Sequence, residues 1–183
     1  MGYALSQGFV TASMFAYISG SSFVLQNIFA VTPQVYSLIF AVNGIGIIIT
    51  GQIAGRLAGK VSETKLLLSG LLLCTMGGLL LLLTILVGGG LIPILICLFA
   101  VVSSVGIVGA TSFSLAMQDQ GEAAGSASAL IGLIPLLLGS CVAPLVGLGG
   151  VESALPMALV IACTGILSIL SYMLLVRRGK ASS

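Results

Sequence analysis

The chain contains no histidine. That removes the Ser-His and Cys-His dyads on which the usual nucleophilic hydrolases depend. It also leaves Cys74, Cys97, Cys141 and Cys163 without zinc-binding companions, since no two of them are closely spaced. Charge is almost as scarce. Lysine and arginine number 6 and aspartate and glutamate 4 among 183 residues, 5% of the chain, where a water-soluble domain carries about a quarter. Such a chain cannot cover a surface that faces water. No basic run is long enough to follow a phosphate backbone, so no nucleic-acid partner is expected. The glycine-rich segments lack the Lys-Ser/Thr ending of a phosphate loop. No GxGD-type pair of aspartates is present either, which excludes an intramembrane aspartyl protease. These missing constellations predict a protein that is not an enzyme and takes no cofactor or metal.

What the chain has is apolar surface: 58% hydrophobic residues and a mean hydropathy of +1.29. About 20 apolar residues cross the hydrocarbon core as a helix. Runs such as Leu79–Leu83 break the alternation that a membrane barrel needs. The fold class is therefore all-α, an integral membrane bundle of six helices over roughly 3–28, 33–55, 66–87, 91–115, 124–148 and 154–176, with no room for a soluble domain. The opening residues MGYALSQGF lack a charged n-region and a small-residue cleavage site, so no removable signal peptide is expected. The four cysteines fall inside spans and read as small apolar packing residues.

The first span is the most polar. At 100° per residue Gln7, Thr11, Phe15, Ser19, Ser22 and Gln26 share about a third of the circumference. A polar stripe facing lipid is costly, so it faces either a water-filled cavity or other helices that it hydrogen-bonds. Thr32-Pro33 reads as an N-cap followed by proline at the first helical position. In the second span Tyr36, Phe40, Asn43, Ile47 and Thr50 share one narrow face. The Asn43 amide, near mid-membrane, either clips two helices together or meets a ligand. Gly51 and Gly55 permit a neighbouring helix to approach closely. The third and sixth spans, mostly aliphatic, suit helices with lipid on most sides. In the fifth, Gly125, Ser128, Gly132, Pro135 and Gly139 stay near one face and predict tight packing and a bend.

The acidic residues Glu63, Asp119, Glu122 and Glu152 are expected in loops. No span then carries the carboxylate that marks a proton or cation relay. If the spans alternate, the loop Gly51–Lys65, the loop at Asp119 and the C-terminal tail share one side. All 6 lysines and arginines lie there, which makes that side cytoplasmic and puts both termini inside. A three-plus-three arrangement of inverted repeats, broken at Gly88–Gly90, is a further possibility.

The segment FAYISGSSFVLQNIFAVTPQVYSLIFAVNGIG, Phe15–Gly46, resembles the seventh and eighth spans of Bcr/CflA-type drug:proton antiporters of the major facilitator superfamily. AAGSASALIG, Ala123–Gly132, is similar to the start of their eleventh span. The resemblance covers essentially the whole chain, as the C-terminal six helices of a twelve-helix protein. Gly51, Arg56 and Lys60 match the superfamily's loop signature, whereas Gly55 replaces its acid and Ala58 its later glycine. Gly139, Ala143, Pro144 and Gly147 resemble the glycine–proline antiporter motif, with alanine for one glycine.

This resemblance implies a cavity between two six-helix halves, worked by alternating access. The first, second, fourth and fifth spans of each half would line the cavity or the interface, and the third and sixth would be peripheral. It implies efflux of small drugs or metabolites in exchange for protons, in the bacterial plasma membrane. Phe15, Tyr17, Ser19, Ser22, Gln26, Tyr36, Phe40 and Asn43 would line the cavity, aromatic faces and few charges suiting many shapes of substrate. The proton-carrying carboxylate would lie in an N-terminal half, or transport would need a second copy of this chain. The alternative is a non-transporting membrane protein, a truncated product or a helical partner subunit.

Overall fold

Long apolar runs satisfy their backbone in lipid only by closing every hydrogen bond within the segment, which makes them helices. The computed structural model describes residues 2–118, 124–147 and 153–177, and among them six helices are long and apolar enough to cross a membrane. They are α1 (Gly2–Phe23), α2 (Pro33–Leu57), α3 (Glu63–Leu86), α4 (Leu91–Met117), α5 (Ala124–Gly147) and α6 (Leu155–Ser171). The described residues contain no strand. The chain is a multi-pass membrane protein built as an all-α six-helix bundle. Asp119, Glu122, Ala123, Glu152, Arg178 and Lys180 lie outside the described residues.

Local chemistry sets the helix ends. α1 continues as a π-helical turn, Val24–Ile28, before the chain reverses through Ala30 at φ 52°. At the start of α2 the Val35 N–H donates to Thr32 Oγ1 at 3.4 Å, with Pro33 next to the cap. Gly59, at φ 84°, turns the short link from α2 to α3 in a conformation that few side chains tolerate. Glu63 belongs to the first turn of α3 rather than to the loop in which it was expected. A carboxylate there complements the positive end of the helix dipole. Gln118 Nε2 donates to Glu63 Oε2 at 3.1 Å, so α3 starts and α4 ends at the same end of the bundle. α5 runs unbroken through Pro135 and Pro144.

The helix pairing has an internal symmetry. α1 packs on α5 and α6, α4 packs on α2 and α3, α1 meets α4, and α3 meets α6. Exchanging the first three helices for the last three maps this set of pairs onto itself. With spans that alternate in direction, that is the pattern of an inverted repeat broken at the turn before α4.

Small residues make the contacts close. A Cβ on Gly70 would lie 2.7 Å from Val108, and one on Gly77 2.9 Å from Val101. On the other side of α3, a Cβ on Gly78 would lie 3.2 Å from Ile161, and Thr75 Oγ1 donates to the Gly165 carbonyl at 2.8 Å. The leucines of α3 (Leu72, Leu79, Leu80, Leu83) point outward. The least covered helices are nonetheless α2 and α5, with 17% and 22% of their windows buried against 39% or more for the others. Each stands at a flank with one main neighbour, α4 or α1.

Three packing expectations are corrected. Cys74 and Cys97 are buried, but Cys141 and Cys163 are exposed, because they occupy the outward faces of α5 and α6. In the small-residue face of α5, Pro135 and Gly139 are buried whereas Gly125, Ser128 and Gly132 are exposed. A Cβ on Gly125 or Gly132 would meet nothing within 4 Å, since α1 crosses α5 on a different strip. Gly55 likewise has no neighbour within 4 Å, so only Gly51 of that pair is a contact point.

Candidate functional site: an aromatic and amide cluster between α1 and α2

Tyr17 and Ser21 stand one turn apart on α1, and Tyr36, Phe40 and Asn43 share a face of α2. The reversal after α1 brings the two sets together. Asn43 Nδ2 donates to Tyr17 Oη at 2.8 Å, with both residues buried, 4% and 2% exposed. Ser21 Oγ and Tyr36 Oη are 3.2 Å apart. The Tyr17 and Phe40 rings stack with centroids 5.9 Å apart and planes 16° apart, and Tyr36 tilts against Phe40 at 6.3 Å and 44°. Phe40 keeps 42% of its surface open and Tyr36 is half-buried. The cluster therefore has an interior, the Tyr17–Asn43 bond, and an open edge, the Phe40 ring.

The other expected cavity residues sit on α1 and, for Gln26, on the π-helical turn that continues it. Gln7, Thr11, Phe15, Ser19, Ser22 and Gln26 are all half-buried, a continuous strip along one face of that helix. Gln7 Oε1 is buried without a hydrogen-bond partner among the described residues. Phe15 belongs partly to packing: a Cβ on Gly139 would lie 2.5–2.9 Å from its ring, so the missing side chain at Gly139 makes the seat for it. Pro144 is exposed, and Gly147 has open space where a side chain would go.

Ser21 was missed as a site residue, although its i+4 spacing from Tyr17 was the signal for it. Phe99 was missed too. With Leu38, Val42 and Asn43 of α2 and Leu95 and Ile96 of α4, it lines an open apolar groove of about 320 Å³. Nothing in the apolar start of α4 set Phe99 apart.

The loop residues fall elsewhere. Gly51 lies against α4, where its Cβ would stand 3.5 Å from the Gly106 carbonyl oxygen. One residue earlier, Thr50 Oγ1 donates to the Ser103 carbonyl at 2.6 Å, clipping the same crossing. Arg56, in the last turn of α2, and Lys60 are exposed. Arg56 is 13 residues beyond Asn43, about 20 Å along the helix axis at 1.5 Å per residue. The cluster itself carries no formal charge.

No family model matches the chain. Over 172 residues it is 41% identical to an uncharacterized MFS-type transporter, YdgK, of Bacillus subtilis (strain 168), covering 94% of this chain and 42% of that protein. It is 25% identical over 182 residues to a bicyclomycin resistance protein homolog of Haemophilus influenzae, covering 100% of this chain and 46% of that protein. These similarities support membership of the major facilitator superfamily. The chain spans less than half the length of both curated relatives.

Proposed function

We propose that the chain forms the C-terminal six-helix half of a proton-coupled exporter of small drugs or metabolites in the bacterial plasma membrane. The observation that carries the reading is the Tyr17–Phe40–Asn43 cluster, an aromatic and amide surface with one open edge. Polar, half-buried Ser19 and Ser22 extend it along α1, and Gln26 continues it in the Val24–Ile28 turn. Aromatic faces with few fixed charges bind many shapes of small molecule.

In this reading the poorly covered faces of α2 and α5, with the open positions at Gly125, Gly132 and Gly147, are completed by an N-terminal half or a second copy. That half also brings the proton-carrying carboxylate, because the described parts of the six helices hold no acid beyond Glu63 at an end. Gly51 serves as a packing point, and Arg56 and Lys60 as the cytoplasmic anchor of the bundle.

The test is drug accumulation in energised cells expressing this chain alone, or together with the six N-terminal helices of the Bacillus subtilis relative. Proton-dependent efflux with both halves and none with one supports the reading. Proton-coupled export by the single chain contradicts the need for a second half. No efflux in either case, with both halves folded and paired, favours a non-transporting partner subunit.

A further inference from the structure

We propose that the outer face of α2 carries a site for one anionic phospholipid, with the headgroup on Arg56 and an acyl chain along Ile53, Ile49 and Ile45. An open groove of about 340 Å³ lies there, lined by Ile48, Ile49, Gln52, Ile53 and Arg56. Ile45, Ile48, Ile49 and Ile53 keep 49–61% of their surface open, and in a chain that spans a bilayer such surface meets hydrocarbon. The polar residues come last. Gln52 and Arg56 stand one turn apart at the end of α2. Arg56 is 11 residues beyond Ile45, about 16 Å along the axis, half the depth of a hydrocarbon core roughly 30 Å thick. That is the layout of a single lipid from the leaflet at the α2–α3 end, tail inward and phosphate at the rim.

Charge selects the headgroup. Arg56 makes no ion pair or side-chain hydrogen bond with a described residue. Nor is it needed to cap its helix. The Ala54 carbonyl accepts from the Ala58 N–H at 2.9 Å, and the Leu57 carbonyl from the N–H groups of Lys60 and Val61 at 3.0 and 2.9 Å. The guanidinium can therefore hold a phosphate through two N–H groups at once. Lys60, also exposed, follows in the link and adds positive charge at the same end. Glu63 shares a separate hollow with Lys60 and is bonded to Gln118, which leaves Arg56 as the anchor.

Position around the helix separates lipid from protein. Tyr36 and Phe40, which meet Ser21 and Tyr17 of α1, lie about 140–180° round from Ile49 and Arg56 at 100° per residue. Gly46 and Thr50 turn to α4. Gly44 and Gly55 have nothing within 4 Å, and with Ser37 they make a small-residue face about 100° round from the strip. Small residues are where helices in lipid close on one another. A second six-helix half docked on that face leaves the branched isoleucines to lipid. The site is distinct from the α1–α2 cluster and stands whether or not the chain carries cargo.

The chain has no tryptophan, so a single inserted one reports only its own surroundings. Ile49→Trp is placed in the full chain, in vesicles of phosphatidylglycerol and phosphatidylcholine. One preparation carries bromine on the acyl chains of the first lipid, the other on those of the second. Bromine quenches tryptophan on contact, so the pair gives the ratio of affinities at this groove. A preference of about fivefold for phosphatidylglycerol is expected, the effect of one basic side chain beside an anionic lipid. Adding Arg56→Gln is expected to bring the ratio near one. Lys65 lines neither hollow, so adding Lys65→Gln is expected to leave the ratio unchanged. Both side chains are exposed, and circular dichroism checks that the helices persist. Leu83→Trp, outward near the other end of α3, is expected to show no preference. A ratio near one at Ile49→Trp overturns the site. So does a loss as large with Lys65→Gln as with Arg56→Gln, which means diffuse attraction to a charged end. Quenching by neither lipid overturns it as well, since protein then covers the strip.

Discussion

Asn43 and Tyr17 join α2 to α1 through a buried hydrogen bond of 2.8 Å, with the Tyr17 ring also stacked on Phe40. The pair is thus a structural clip and part of a candidate binding surface at once. Removing one partner strands the other in an apolar interior. Asn43→Leu and Tyr17→Phe are each expected to lower stability by about 1 kcal/mol, and the double variant by less than their sum, with a coupling of about 0.6 kcal/mol. Reversible unfolding of the protein in mixed detergent micelles checks this. Strict additivity would mean that the bond holds nothing together.

The α2–α4 crossing depends on one glycine more than on its neighbours. A Cβ on Gly106 would run into the Ile47 carbonyl oxygen and crowd Thr50 Oγ1, and these are backbone and short side-chain atoms with little room to give. Gly106→Ala is therefore expected to cost about 1–3 kcal/mol or to prevent folding. Gly51→Ala meets Gly106 at an ordinary 3.5 Å, and Gly109→Ala meets nothing within 4 Å; both are expected to leave thermal stability nearly unchanged. The yield of monodisperse protein and its Tm, compared across the three variants, separates these outcomes.

That series marks where reading from sequence ran out. Apolar runs and the shortage of charge made six membrane helices legible, because lipid leaves the backbone one way to satisfy itself. The shared face of Tyr36, Phe40 and Asn43 was legible too, since it follows from helical periodicity alone. Tyr17, however, was expected to line the cavity with Ser19 and Ser22, and it is buried behind Phe40. Its burial comes from the reversal through Ala30, a tertiary event that has no periodic signal. The same limit applies to the glycines. Gly125 and Gly139 share a face of α5, yet only Gly139 meets a partner, because the place where α1 crosses decides which is filled.

Hydroxyl groups in the core divide in the same way. Ser13 Oγ and Thr164 Oγ1 bond across α1 and α6 at 2.7 Å, and the Cys74 thiol reaches Ser13 from α3 at 3.6 Å. Ser112, equally buried on α4, has no hydrogen-bond partner among the described residues. Thr164→Val, which keeps the shape, is expected to lower stability by about 0.5–1.5 kcal/mol. Ser112→Ala is expected to be neutral or slightly stabilising, since it deletes a polar group that gains nothing from burial. Thermal unfolding followed by circular dichroism would show the contrast, and equal effects would argue against the Ser13–Thr164 clip.

Orientation decides which side of the membrane the cluster is nearer. Arg56, Lys60 and Lys65 sit around the α2–α3 link, at the end of the bundle where Gln118 meets Glu63. Loops rich in lysine and arginine stay in the cytoplasm. By that rule Tyr36 and Phe40, in the first turns of α2, are expected in the outer half of the bilayer, which is the release side in the exporter proposed above. Lys60 is exposed beside Gly59, so Lys60→Cys offers a direct reading. A membrane-impermeant maleimide is expected to label it in inside-out vesicles and not in intact cells, with the parent protein as background for its four native cysteines. Labelling in intact cells would invert the bundle. The cluster would then face the cytoplasmic half, and the same residues would act where substrate is captured rather than where it is released.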